Sequence, residues 1–208
     1  MISIQNLYKN YEGKVIFKDF SMDIEDREFV IFAGVSGCGK TTLLNMIGGL
    51  EKPDRGSVTV DGTDIWKEKN KQWYFTYKVG FLFQNFALLE DRTALGNLKL
   101  VQKKARTGMT PEEALEAVGL SGKGDTKVYR LSGGEQQRVA LARLMLKKCD
   151  IILADEPTGS LDDMNAQMVM ELLHRMNDQG RTVIVVTHNE RIKQQEKRVV
   201  DLGKIAAE

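Results

Sequence analysis

The stretch Gly34-Val35-Ser36-Gly37-Cys38-Gly39-Lys40-Thr41 has the spacing G-x-x-x-x-G-K-[ST], set between an apolar run and a helical pattern. That order suits the holding of a phosphate chain. Glycines let successive backbone N–H groups curl around anionic oxygens, and the following helix adds the positive end of its dipole. Lys40 is placed to reach the β and γ phosphates of a nucleotide, and the Thr41 hydroxyl to ligate Mg²⁺. Gly34, Ser36, Gly37, Cys38, Gly39, Lys40, Thr41 and Thr42 are therefore the candidate phosphate-binding positions. The loop by itself does not separate one class of nucleotide-using protein from another.

Further along, Ile151-Ile152-Leu153-Ala154-Asp155-Glu156 is an apolar strand pattern ending in two carboxylates. At the C-terminal end of a buried parallel strand, acids face the crevice where ligands bind. Asp155 suits Mg²⁺, reached through water, and Glu156 suits the base that polarises an attacking water. Alone, the pair reads equally well as a polar strand end turning into Pro157; beside a phosphate loop, the catalytic reading prevails. A third piece is Leu131-Ser132-Gly133-Gly134-Glu135-Gln136-Gln137-Arg138. Ser132 with Glu135 makes a capping box, which predicts a helix start. Capping does not call for Gly133 and Gly134, poor helix formers, in the first turn. Glycines there let backbone N–H groups approach an anion closely.

With these stretches in order, the chain resembles the ATP-binding subunits of ABC transporters, and the Ser132 stretch is similar to their LSGGQ signature. The resemblance runs over essentially the whole chain. It implies ATP hydrolysis with ATP and Mg²⁺ as cofactors. It also implies a head-to-tail pair of copies, in which Ser132, Gly133, Gly134 and Glu135 meet the γ-phosphate on the Lys40 loop of the other copy. Tyr11 stands where the family's aromatic stacks on adenine; Tyr8 is the rival aromatic, and a packed sheet residue is the lesser alternative. Gln84, in Phe81-Leu82-Phe83-Gln84-Asn85, matches the glutamine that contacts Mg²⁺ and water, in a loop that touches the membrane partner. Ser160-Leu161-Asp162 matches the segment that crosses to the opposite site, where Asp162 reads equally as a helix cap. His188 resembles the histidine that bonds the γ-phosphate. The resemblance thus gives catalytic roles to Glu156, His188, Gln84 and Lys40, and metal contacts to Thr41, Gln84 and Asp155. Arg27 stands where the family has a turn glycine.

At finer grain, Ile47-Gly48-Gly49-Leu50, Gln84 to Leu89 and Ala154 to Asp162 resemble the subgroup serving lipoprotein release, macrolide and peptide export, or cell-division signalling. The compact form is similar to subunits tied to bacteriocin export. Two roles stay open on these residues: driving a permease that exports a peptide, lipoprotein or drug-like substrate, or pulling on a membrane partner that controls a cell-wall hydrolase.

The elements that must position these residues follow from hydrophobic patterning. Phe29–Ala33, Val79–Phe83, Ile151–Asp155 and Thr182–Thr187 are continuous apolar runs, expected of parallel strands covered on both faces. Ile2–Leu7, Phe20–Ile24 and Ser57–Val60 alternate and predict antiparallel, half-exposed sheet. Helices are predicted at Thr41–Ile47 and Met164–Met176, and another at Thr110-Pro111-Glu112-Glu113, with Thr as cap and Pro at the first helical position. No convincing strand lies between Phe86 and Leu146. The expected fold is α/β, with a RecA-like, mainly parallel core, an antiparallel β-subdomain and an inserted α-helical subdomain. The resemblance implies that residues 1–208 form a single ABC ATPase domain, in which 1–84 and 147–208 would make the core with its β-subdomain and 85–146 the helical part.

Composition agrees with this frame. At 208 residues and 42% hydrophobic content, the chain supports one core. Thirty Lys and Arg against 29 Asp and Glu leave +1, not the basic excess of a nucleic-acid binder. No nucleic-acid partner is expected. Cys38 and Cys149 lie far apart, which fits a reducing compartment better than a disulfide scaffold. Apolar runs fall well short of the ~20 residues that span a bilayer. A membrane role is therefore expected to run through a partner; the resemblance implies a separate permease, with this chain cytoplasmic and peripheral on the inner face of the cell membrane.

Overall fold

A computed structural model describes residues 1–159 and 161–205. β3 (Phe29–Ala33), β6 (Val79–Leu82), β7 (Ile151–Asp155), β8 (Thr182–Val186) and β9 (Val199–Asp201) form a parallel sheet in the order β6-β7-β8-β3-β9. Because side chains alternate across a strand, successive residues divide between two cores. Ile31, Ile152, Val183 and Val185 enter one, against α5 (Gly133–Leu146) and α6 (Asp163–Asp178). Val30, Phe32, Leu153 and Ile184 enter the other, against α1 (Lys40–Ile47) and a second sheet.

That second sheet is antiparallel: β1 (Ile2–Tyr11), β2 (Lys14–Ile24), β4 (Arg55–Val60) and β5 (Thr63–Asp64), in the order β2-β1-β4-β5. β1 and β2 run past their alternating segments, because the Tyr11–Lys14 hairpin pairs through backbone groups rather than apolar side chains. β6 and β8 each stop a residue short of the sequence expectation, at Leu82 and Val186, although the Thr187 N–H still donates to Phe32 O at 3.2 Å. Between β6 and β7 the described residues hold α3 (Ala94–Leu98), α4 (Pro111–Ala117), α5 and isolated bridges, Thr93 to Lys127 and Arg106 to Lys147. After α2 (Glu68–Trp73), the Tyr74–Lys78 stretch widens into a π-helical turn, and the Tyr74 hydroxyl donates to Ile47 O at 2.7 Å. The periodicity gave no sign of this turn. Short helices α7 (Glu190–Gln195) and α8 (Leu202–Ile205) flank β9.

Arg27 takes φ +66°, the left-handed conformation a glycine would supply. Its N–H donates to Thr182 Oγ1 at 2.9 Å and its carbonyl accepts from Asn177 Nδ2 at 2.8 Å. These bonds hold the strained turn where the chain lacks glycine.

Candidate functional site

The carboxyl ends of β3, β6, β7 and β8 share one edge, and most of the residues singled out above collect there. Gly34 to Gly39 leave β3 and lead straight into α1. Gly34 and Gly39 have φ +138° and +101°. A Cβ at Gly39 would lie 2.5 Å from Ile16 Cγ2 and 2.8 Å from Phe17 Cζ, so the antiparallel sheet presses the loop too closely for any other residue. At Gly34 a Cβ would meet Cys38 Sγ at 2.6 Å and the Gly203 amide at 2.9 Å. Cys38 itself is buried under the loop, while Ser36 and Gly37 are exposed at its crest.

Among the described residues, no side chain caps α1. Its first amides therefore stay available at the loop, beside the positive end of the helix dipole. The Lys40 ammonium folds back over the loop and donates to the carbonyls of Gly34 and Val35, each at 2.9 Å. Thr41 and Thr42 follow in the first turn, Thr41 exposed and Thr42 half-buried. The Thr41 hydroxyl donates to Asp155 Oδ1 at 3.1 Å, joining the α1 start to the β7 end across the intervening β8.

Burial raises the Asp155 carboxyl above its ordinary range; the Thr41 hydrogen bond opposes that shift, neighbouring Glu156 adds to it and Lys40 opposes it. Glu156 stands at φ +45°, held through its N–H to Val186 O at 2.9 Å. Its Oε1 meets His188 Nδ1 at 2.9 Å, and the His188 ring is otherwise largely exposed. Glu156 Oε2 is buried and has no hydrogen-bond partner among the described residues. An orphaned buried acceptor is costly unless a ligand engages it. Gln84 is exposed beyond β6; Leu82 pairs with Ala154, so Gln84 leaves its strand level with Glu156.

Tyr11 ends β1 at the hairpin and is 42% exposed. Its hydroxyl bonds Glu51, and Lys9 Nζ lies 5.0 Å from the ring centroid. Tyr8 is half-buried under Arg55 on the β4 side, further from the loop. Beside Tyr11, Lys14 carries its ammonium to 4.0 Å from where a Gly37 Cβ would sit. This cation at the loop was not anticipated, because a lysine in an alternating strand has no motif to mark it.

Ser132 and the residues after it do not join this cluster. Among the described residues, no hydrogen bond or ion pair links Ser132 to Glu135 with the phosphate loop. Ser132 Oγ accepts from Glu135 N–H at 3.3 Å, and Glu135 Oε2 accepts from Ser132 N–H at 2.8 Å, completing the capping box at the head of α5. The Ser132 amide holds the Glu135 carboxyl below its usual range, helped by Lys123 at 3.2 Å. A Cβ at exposed Gly133 would meet nothing within 4 Å among the described residues. Asp162 caps α6 through Asn165 N–H at 2.8 Å, which lowers its carboxyl pKa; Ser160 lies outside the described residues.

The donors present fit Mg²⁺ and a phosphate chain. A hydroxyl and a carboxylate are hard oxygen ligands, and Mg²⁺ commonly takes one or two protein groups with substrate phosphates completing its shell. Exposed loop amides, an uncapped helix and two lysines nearby supply the complementary charge.

Comparison with known proteins agrees with this geometry. The family model described as ABC transporter matches residues 17–159. A macrolide export ATP-binding/permease protein, MacB, of Campylobacter jejuni is 40% identical over 97% of this chain, which spans only 33% of that protein's length. An ABC transporter ATP-binding protein of Methanocaldococcus jannaschii, MJ1508, is 39% identical over 97% of this chain and 95% of its own. Among solved structures, the ATP-binding cassette MJ0796 in a dimeric post-hydrolysis state with ADP and Pi is 34% identical. It superposes with a TM-score of 0.84, covering 98% of this chain and 95% of that one. Among the described residues, no helix is long and apolar enough to cross a membrane. A phosphate loop facing an acidic strand end, on a fold shared with these cassettes over nearly its full length, places this chain in the ABC transporter family as an ATP-binding, ATP-hydrolysing domain.

Proposed function

We propose that this chain works as a head-to-tail dimer around two Mg·ATP, driving separate membrane permease subunits from the cytoplasmic face, and that its cargo is an exported peptide, lipoprotein or drug-like molecule. The observation that carries this reading is a site divided in two. Lys40, Thr41, Asp155, Glu156 and His188 collect at one edge, while Gly133 lies open elsewhere with no neighbour that requires glycine. The dimeric MJ0796 structures and the macrolide export relatives support the dimer and the export role respectively.

In this reading the loop amides and Lys40 hold the phosphates, Thr41, Asp155 and Gln84 hold Mg²⁺, and Tyr11 carries the base. Bound Mg²⁺ supplies charge neutralisation at the phosphate oxygens. Glu156 Oε2 accepts a proton from the attacking water, and His188, held by Glu156 Oε1, presents its free ring edge to the γ-phosphate. Ser132, Gly133, Gly134 and Glu135 of the second copy close the site, with Asp162 at the crossing between sites. Catalysis is then mostly positioning and charge stabilisation.

The working division is a core of residues 1–84 and 147–208 and a helical part of 85–146. Between them lies a groove of about 410 Å³, lined by Phe75, Phe81, Phe83, Leu100, Arg143 and Lys147, with the Gln84 loop at its side. Leu89 and Leu100 are exposed apolar side chains near this face. The permease contact is assigned here.

Glu156→Gln tests the scheme. It is expected to bind ATP, double in mass by light scattering, and lose hydrolysis by about 10²–10⁴-fold, the range for a general base. Wild-type turnover would refute the base, and a persistent monomer at saturating ATP would refute the dimer. The permease is tested by purifying the tagged chain from native membranes. Recovery of a protein with few membrane helices and a large external domain is expected; recovery with a cell-wall hydrolase complex would replace export by mechanical regulation.

A further inference from the structure

The helix that begins at Ser132 also grips the turn that carries Glu156. Gln137, one turn into α5, is only 2% exposed, and its side-chain amide donates to the carbonyl of Pro157, the residue after Glu156. Arg138 donates from NH1 to Asn165 Oδ1 at 2.9 Å. Asn165 in turn bonds Asp162, from its backbone N–H at 2.8 Å and its side-chain amide at 2.7 Å. Consecutive residues of α5 thus reach Pro157 directly and Asp162 through Asn165.

The turn needs holding. Glu156 keeps a left-handed backbone that a side-chain-bearing residue adopts only when its surroundings impose it. Its own fixings are Val186 O on one side and Gly159 N–H on the other. Gln137 adds a buried bond from a separate element. The other buried residues of α5, among them Val139, Ala140, Leu141 and Leu144, are all apolar, which sets the Gln137 amide apart.

We infer that Gln137 is a positioning residue for Glu156 and that it links the two ATP sites of the dimer. This rests on the head-to-tail reading and on Glu156 as base. In that arrangement the start of α5 closes on the nucleotide of the other copy, while Gln137 sets the base that serves its own copy's nucleotide. Engagement at one site is then transmitted through α5 to catalysis at the other.

The test uses the full chain with its permease. Gln137→Leu keeps the side chain's bulk and removes the donor. It is expected to lower kcat about tenfold, as for loss of a contact that orients a catalytic group, with KM for ATP unchanged. The Hill coefficient for ATP should fall toward unity, a change that mere loss of folded protein would not produce. Gln137→Glu reads the bond itself. A neutral carboxyl donates O–H to Pro157 O and an ionised one cannot, and burial favours the neutral form. Its turnover relative to wild type should therefore rise as pH is lowered.

Unchanged kcat and Hill coefficient in Gln137→Leu would overturn the inference, as would a fall in kcat with cooperativity intact. If the leucine variant fails to fold, a flat relative pH profile for Gln137→Glu overturns it instead. Glu156→Gln measured alongside separates the two levels. If it is inactive while Gln137→Leu is normal, positioning alone fails. Should it retain full turnover, the base assignment fails and the inference goes with it.

Discussion

The phosphate loop and the Ser132 turn are both glycine-rich and both open a helix, yet their glycines are kept for opposite reasons. At the loop the chain itself demands them: a Cβ on Gly39 would strike Ile16 and Phe17. At the turn it does not, since Gly133 faces open space. The helix starts differ in the same sense. α1 has no side-chain cap, whereas α5 is closed by a reciprocal Ser132–Glu135 box. An uncapped start beside crowded glycines is a site built for its own chain's ligand. A capped start with unneeded glycines is what the proposed contact with a second copy would use. The difference can be broken by placing a charge or removing one on each side.

The largest effect is expected at the loop edge. Asp155→Asn removes a carboxylate from the position proposed for Mg²⁺ and should lower hydrolysis by about 10³-fold, comparable with losing a preorganised group that stabilises charge in the transition state. The same change should stabilise the nucleotide-free protein. Burial raises the Asp155 pKa on folding, so the folded chain holds its proton more tightly than the unfolded chain does. Stability is then greatest below the ordinary aspartate value of 3.8 and falls as pH rises through the folded-state value. Asparagine escapes that penalty. Its melting temperature should exceed that of wild type at pH 7, with the gap closing below pH 3.8. Equal melting temperatures at pH 7 would mean that Asp155 is not a site strained for function.

Much of this edge was legible beforehand, because the loop and the acidic strand end carry their chemistry in contiguous residues. Apolar runs such as Thr182–Val186 announced the parallel core by their lack of alternation. What stayed hidden depends on long-range placement. Lys14 belongs to no motif and reaches the loop only because the hairpin folds over it. Gln137 belongs to the Leu131–Arg138 stretch, but a polar residue in a helix reads as solvent-facing until its burial is known. The π-helical turn at Tyr74–Lys78 arises from tertiary packing, with the buried Tyr74 hydroxyl anchored on Ile47 O.

A smaller effect should follow at the Ser132 turn, where it would sharpen the contrast. Gly133→Asp has room for its side chain and should leave the melting temperature almost unchanged. Facing a γ-phosphate on the second copy, a carboxylate there would cost about 3 kcal/mol and lower ATPase activity about a hundredfold. Activity should return in part when the variant is mixed with inactive Lys40→Ala chains, because one composite site then pairs an intact loop with an intact turn. Full activity of Gly133→Asp alone would remove the case that this turn meets a nucleotide.

The smallest effect separates two tyrosines. Tyr11 lies at the exposed hairpin beside the loop, with Lys9 over one face of its ring, so the other face is the one left for a purine. Tyr8 sits further along β1 under Arg55. Aromatic stacking is worth ~1 kcal/mol, so Tyr11→Ala should raise KM for ATP about fivefold with kcat unchanged. Tyr11→Phe keeps the ring and loses only the bond to Glu51, and its KM should stay near wild type. A rise in KM for Tyr8→Ala, with none for Tyr11→Ala, would move the base toward the β4 side of the hairpin. Because stacking acts on ground state and transition state alike, a change in kcat for Tyr11→Ala would instead show that the ring orients the phosphates, tying this edge of the antiparallel sheet to the chemistry at Glu156.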